Sequence, residues 1–139
     1  MNHRYGESSK STSLAVLVER VVSPLLRQHP APVLFELNID TYLMTSASSN
    51  HLAALIETLV TDSLREMPQG GELTVSGCQT ANGVELEIAD TGSDAENRSR
   101  SLSLSAAALS CKPHWQNCPQ GGTAVTIVLP FNSAARKAA

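Results

Sequence analysis

The sequence predicts an α+β domain, a two-layer α/β sandwich with about three helices on one face of a mixed or antiparallel sheet of about five strands. Three observations carry this expectation. Residues 13–28 and 50–66 place apolar side chains every three or four positions, the spacing of one helix face. Residues 33–39, 73–75, 84–88 and 125–129 instead alternate apolar and polar, as half-buried strands do. The resulting order is helix, strand, short strand, helix, two strands, loop, helix, two strands. Runs of this kind set helices against a sheet and do not build an all-parallel one.

Residues 1–12 are rich in serine and charge and read as a flexible N-terminal segment, with one domain over 13–131 and a flexible polar tail over 132–139. In the first helix the stripe is Leu14, Leu17, Val18, Val21, Val22, Leu25 and Leu26. Pro24 lies within it and is expected to kink it or end it early, because proline lacks the N–H that continues the ladder. His29-Pro30-Ala31-Pro32 is a stop. Val33, Phe35, Leu37 and Ile39 then share one strand face, and residues 42–45 suggest a short second strand. Ser46 to Asn50 offers N-cap candidates for the next helix, whose Leu52, Leu55, Ile56, Leu59 and Leu64 face a core. Met67-Pro68-Gln69-Gly70-Gly71 breaks it. Leu73 and Val75 belong to one strand and Val84, Leu86 and Ile88 to the next, with Asn82-Gly83 between them as a hairpin signal. Residues 93–101 lack periodicity and read as a mobile loop, and 102–109 as an Ala- and Leu-rich helix. Val125, Ile127 and Leu129 mark the closing strand.

Composition excludes several function classes. A chain of 139 residues with net charge -3 shows no clustered basic face for nucleic acid. No apolar run approaches the roughly 20 residues of a membrane span. Residues 1–13 lack the apolar core of a signal peptide, so a cytoplasmic setting is expected. Cys78, Cys111 and Cys118 are an odd set without a CxxC pair and read as small apolar residues of a reducing compartment. Cys111, His114 and Cys118 lack a fourth ligand for structural zinc. His3, His29, His51 and His114 are scattered, and no Ser-His-Asp or Cys-His spacing emerges.

Chemistry concentrates at two strand ends. Ile88-Ala89-Asp90-Thr91-Gly92 places a carboxylate where a strand stops, followed by a permissive glycine. A partly buried carboxylate there needs hydrogen-bond donors, such as an exocyclic amine; a plain Asp-x-Gly turn is the alternative. Gly121-Gly122-Thr123 opens the closing strand. On the second helix Asp62 and Arg65 lie one turn apart, suited either to an intrahelical pair or to metal and phosphate contacts.

These stretches together resemble the nucleotide pocket of the histidine-kinase branch of the GHKL ATPases, the Bergerat-fold group that also includes gyrase and MutL. The resemblance spans roughly residues 13–131. It implies that Asp90 reads the adenine amino group, that Gly92, Gly121 and Gly122 allow the backbone close to the nucleotide, and that Thr123 hydrogen-bonds near Asp90 and the adenine. It places Asp62 where the family's helix asparagine helps hold Mg²⁺, and Arg65 where a basic residue meets the phosphates. ATP with Mg²⁺ is the implied cofactor, and no catalytic residue is assigned. Thr58 stands at the family's first helix asparagine and cannot act as a base; Glu57 points about 100° away around the helix. In the lid, Ser101-Leu102-Ser103-Leu104 replaces Gly-Leu-Gly-Leu, and Asp94 replaces a further glycine.

The chain has no phospho-accepting histidine motif and no dimerising helical hairpin. The implied function is the ATP-binding domain of the histidine-kinase, two-component class, with reduced or no catalysis. Its partner would be a histidine-bearing dimerisation domain or a response regulator. The alternatives are a non-catalytic regulatory module on the same fold and a stand-alone kinase of the anti-sigma-factor type.

Overall fold

The structure, a computed structural model, describes residues 11–98 and 104–130. The elements in chain order are β1 (Thr12–Ser13), α1 (Leu14–Gln28), β2 (Val33–Ile39), β3 (Met44–Thr45), α2 (Ser49–Arg65), β4 (Gly71–Thr80) and β5 (Gly83–Asp90). A 3₁₀ turn (Ala95–Asn97), α3 (Leu104–Ala108), β6 (His114–Asn117) and β7 (Thr123–Pro130) follow. The five-stranded sheet runs β2-β4-β5-β7-β6. Only β2 and β4 are parallel; the other neighbours are antiparallel. This is the predicted mixed sheet, and the helices close one face of it. The parallel pair follows from connectivity, because α2 is the crossover that returns the chain to the same end of the sheet.

The helix boundaries follow local chemistry. Ser13 caps α1 by accepting from the Val16 N–H at 3.4 Å, and Ser48 caps α2 by accepting from the His51 N–H at 3.5 Å. Pro24 does not end α1, which continues to Gln28. The carbonyl a proline leaves unpaired is four residues back, on Arg20, an exposed residue where water can satisfy it. His29 ends α1 and its Nε2 lies 2.8 Å from the Met67 carbonyl oxygen, tying the end of α1 to the end of α2.

Both apolar stripes enter one core. Leu14, Val18 and Val22 of α1 and Leu52, Leu55, Ile56 and Val60 of α2 have no exposed surface. They meet Leu73, Val75, Leu86, Ile88, Val125, Ile127 and Leu129 from the sheet. Trp115 of the edge strand β6 packs against this cluster, as do Phe35 and Leu37 of β2. Leu86 lies mid-sheet at 0 % exposure, so Leu86→Ala should cost about 2–5 kcal/mol in urea-unfolding measurements.

The hairpin is where Asn-Gly placed it, with a shifted role for the glycine. Thr80 pairs with Gly83 across Ala81-Asn82. A Cβ at Gly83 would meet the Leu129 carbonyl oxygen of β7 at 2.1 Å, so the glycine permits close strand approach as well as the turn. The short strand expected near 42–45 is β3, and it pairs with β1 as a separate two-stranded sheet. Thr12, assigned from sequence to the flexible segment, is in that pairing and its hydroxyl lies 3.0 Å from Ser49 Oγ. The remaining residues of the two terminal segments lie outside the described residues, apart from Ser11.

Candidate nucleotide site

Asp90 ends β5, and strand alternation decides where it points. It shares the parity of Leu86 and Ile88, so its carboxylate turns into the layer between sheet and helices and is 3 % exposed. A carboxylate so buried must be paired. The Gly92 N–H donates to Oδ1 at 2.9 Å, closing an Asx-type turn. The remaining capacity is taken by an arginine. Arg98 Nη1 donates to Oδ2 and Nη2 to Oδ1, each at 2.8 Å, a bidentate fork. The Arg98 side chain is 3 % exposed and its Nη2 also donates to the Ser93 carbonyl oxygen. The Asp90 carboxylate, seconded by Glu66 and Asp62, raises the guanidinium's already high pKa despite burial, so Arg98 stays charged. Its Nε is buried and finds no partner among the described residues.

Of the loop expected over 93–101, residues 93–98 are described. The stretch from Thr91 to Arg98 is pinned on three sides. The Thr91 hydroxyl accepts from the Glu72 N–H at 3.0 Å, and the Ser93 hydroxyl donates to Glu66 Oε1. The Thr123 hydroxyl donates to the Ser93 carbonyl oxygen at 2.8 Å. The Ala95 N–H donates to Asn117 Oδ1 at 2.8 Å, and Asn117 Nδ2 reaches Glu96. Polar composition marks residues without a core face; here those side chains bond neighbouring strands and the end of α2.

The glycines of the site serve the backbone. A Cβ at Gly92 would lie 2.6 Å from the Glu66 carbonyl oxygen, so the glycine lets the end of β5 press against the end of α2. At Gly122, φ is 90° and a Cβ would lie 2.0 Å from the Asp90 carbonyl oxygen. Gly121, with φ 101°, faces open space and completes the turn between β6 and β7, where its N–H donates to the Cys118 carbonyl oxygen at 3.0 Å. Thr123 is 1 % exposed and sits opposite Asp90 in the β5–β7 register.

The α2 residues are divided. Asp62 is 5 % exposed, on the buried side of α2. Arg65 binds Asp62 at 2.9 Å but is half exposed, and it borders a depression with Leu25, Gln28, His29, Thr61 and Leu64 at the end of α1. The intrahelical pair anticipated as an alternative thus forms, and Arg65 is not brought to Asp90. Thr58 uses its hydroxyl to donate to the Ala54 carbonyl at 3.0 Å, and Glu57 is exposed. Ser101, Leu102 and Ser103 lie outside the described residues, and α3 is described over Leu104–Ala108, within the helix expected over 102–109. Among the described residues no group of three His, Cys, Asp or Glu side chains is placed to hold a metal ion. Burial pushes the Cys111 thiol up, and burial with the Asp90 and Glu87 carboxylates does the same to Cys118, which leaves both protonated and weakly nucleophilic near neutrality. No helix among the described residues is long and apolar enough to cross a membrane.

Sequence reasoning missed Arg98, Glu66 and Asn117. Glu66 carried a usable signal: an acid at a helix C-terminus opposes the helix dipole and calls for a specific partner. Arg98 had none beyond being a cation a few residues after a strand-ending acid.

No protein-family model matches the sequence, and no curated protein matches it. The fold, in contrast, has many counterparts. The mycobacterial sensor histidine kinase MprB superposes with a TM-score of 0.70 at 19 % identity, covering 87 % of this chain and 97 % of that one. The catalytic domain of histidine kinase ThkA gives 0.71 at 13 % identity, over 87 % and 95 % of the two chains. The ATP-binding domain of PrrB from Mycobacterium tuberculosis gives 0.65 at 17 % identity, over 90 % and 98 %. The chain therefore has the fold of a histidine-kinase-type, GHKL-like ATP-binding domain. The likeness is one of architecture.

Proposed function

We propose that this chain is an ATP-binding domain of the histidine-kinase, two-component class that binds adenine nucleotide weakly and has little or no catalytic turnover. The observation that carries the reading is Asp90: a buried carboxylate at the end of a central strand, already accepting N–H donors on both oxygens. A seat that accepts paired N–H groups has the chemistry needed to accept an exocyclic amine. Asp62 would hold Mg²⁺ together with the phosphates, and ATP would supply the phosphoryl group for a histidine on a partner domain. The weak side of the site is phosphate handling. Arg65 is engaged in an ion pair with Asp62, and Thr58 spends its hydroxyl within the helix. Thr58 thus offers no general base on α2.

The partner in this reading is a histidine-bearing dimerisation domain or a response regulator, in a cytoplasmic setting. A specific observation favours a second reading, a non-catalytic interaction module: the Asp90 seat is filled by the chain's own Arg98. A stand-alone kinase of the anti-sigma-factor type requires a competent lid and is less well supported. Calorimetric titration with ATP and ADP, with and without Mg²⁺, separates the first two readings when paired with a phosphate-release assay. The expected result is weak binding of both nucleotides with similar affinity, tighter with Mg²⁺, and turnover near background. Tight ATP-selective binding with steady hydrolysis would restore an ordinary ATPase; no binding of either nucleotide would leave the interaction module.

A further inference from the structure

We infer that Arg98 is the occupancy-determining residue of the base seat, an internal ligand that must leave Asp90 before adenine can enter. The inference rests on the nucleotide-binding reading and specifies what limits it. Three observations support it. The guanidinium takes both Asp90 oxygens, each at 2.8 Å, and the Asp90 carboxylate is the group the base would need. An adenine amine is neutral and offers fewer N–H donors than the fork, so it meets a stronger competitor already in place. The seat and its occupant are both buried, so base and guanidinium cannot share it.

Two further features allow exchange. The fork is not fully satisfied, because Nε is buried without a partner among the described residues, which discounts the closed state. The loop also has anchors besides the Arg98 Nη2 bond to the Ser93 carbonyl oxygen. Residues 93–96 are anchored through Ser93 to Glu66 and Thr123, and through Ala95 and Glu96 to Asn117. Rotation of one side chain therefore vacates the seat while the anchored loop stays in place. No covalent step is involved; the exchange replaces one set of donors to Asp90 by another.

The test uses adenosine and ATP-Mg²⁺ against the full chain and its Arg98→Ala and Arg98→Met variants. Adenosine carries no charge, so its affinity reports the vacated seat free of any change in field. Both variants should bind adenosine at least tenfold more tightly than the parent, and ATP should gain as well. Equal or weaker adenosine binding in the variants, with measurable binding by the parent, would overturn the gate and leave nucleotide binding intact. A selective loss of ATP alone would mark Arg98 as a phosphate contact and also overturn it. Absence of adenosine and ATP binding in the parent and both variants would instead remove the nucleotide-binding reading itself. Should both variants fail to fold, the parent alone decides: on adenosine titration the Arg98 Nε–H resonance must lose its protection from solvent exchange as the base binds. A resonance that stays protected at saturation refutes the exchange.

Discussion

Asp90→Ala is expected to destabilise the fold by about 3–5 kcal/mol, because it strands the Arg98 guanidinium in a site with 3 % side-chain exposure. Arg98→Ala should cost a similar amount by stranding the carboxylate. The double variant should cost far less than the sum, since removing both charges also removes the desolvation that each imposed. Urea unfolding of the four proteins yields the coupling directly. Costs that add to within about 0.5 kcal/mol would mean that the two side chains do not act as a unit. The experiment also separates stability from occupancy, because a pair that is strongly coupled in stability sets the work a ligand must do to part it.

Gly122→Ala should be nearly as damaging, for a different reason. With φ at 90° an L-residue is strained by about 1–3 kcal/mol, and here its Cβ would also lie 2.0 Å from the Asp90 carbonyl oxygen. That neighbour is backbone in a central strand and cannot rotate away. A total of about 3–5 kcal/mol, or failure to fold, is expected. Gly121→Ala is the control: φ is 101° but nothing lies within 4 Å, so only the conformational cost remains. Equal effects in thermal melts of the two variants would show that close approach to Asp90 is not what Gly122 provides.

The fold was legible because its signals are periodic. Each apolar residue assigned to α2 and to strands β4, β5 and β7 is in the core, since a stripe with one period has only one way to face a sheet. Boundaries set by caps and breakers were also readable, as at Ser48 and at Gly70. Pro24 does not end α1, because a proline removes one hydrogen bond and the cost depends on whether the orphaned carbonyl sees water. The site was legible only in part. Asp90, Gly122 and Thr123 come together because strand register brings their ends side by side. The stripe of α2 fixes which side faces the sheet, but spacing alone left open whether Arg65 pairs with Asp62 or reaches a ligand. Arg98 and Asn117 meet their partners through a loop, and loop geometry has no period to read.

The arrangement of contacts around residues 91–98 has a mechanical consequence. Strands β4, β5, β7 and β6 are antiparallel neighbours, and the β4–β5 and β6–β7 pairs are closed by short turns, whereas β1, α1, β2 and α2 join them through one parallel strand pair and the helix faces. The β4–β5 and β6–β7 pairs are local in sequence, whereas β2–β4 ties the N-terminal half of the chain to the C-terminal half and β5–β7 joins segments comparably far apart. The Asp90 loop crosses the seam between these halves, holding Glu66 at the end of α2 on one side and Thr123 and Asn117 on the other. A change of occupant in the carboxylate seat therefore bears on the end of α2, and amide exchange around Glu66 is expected to report what occupies it.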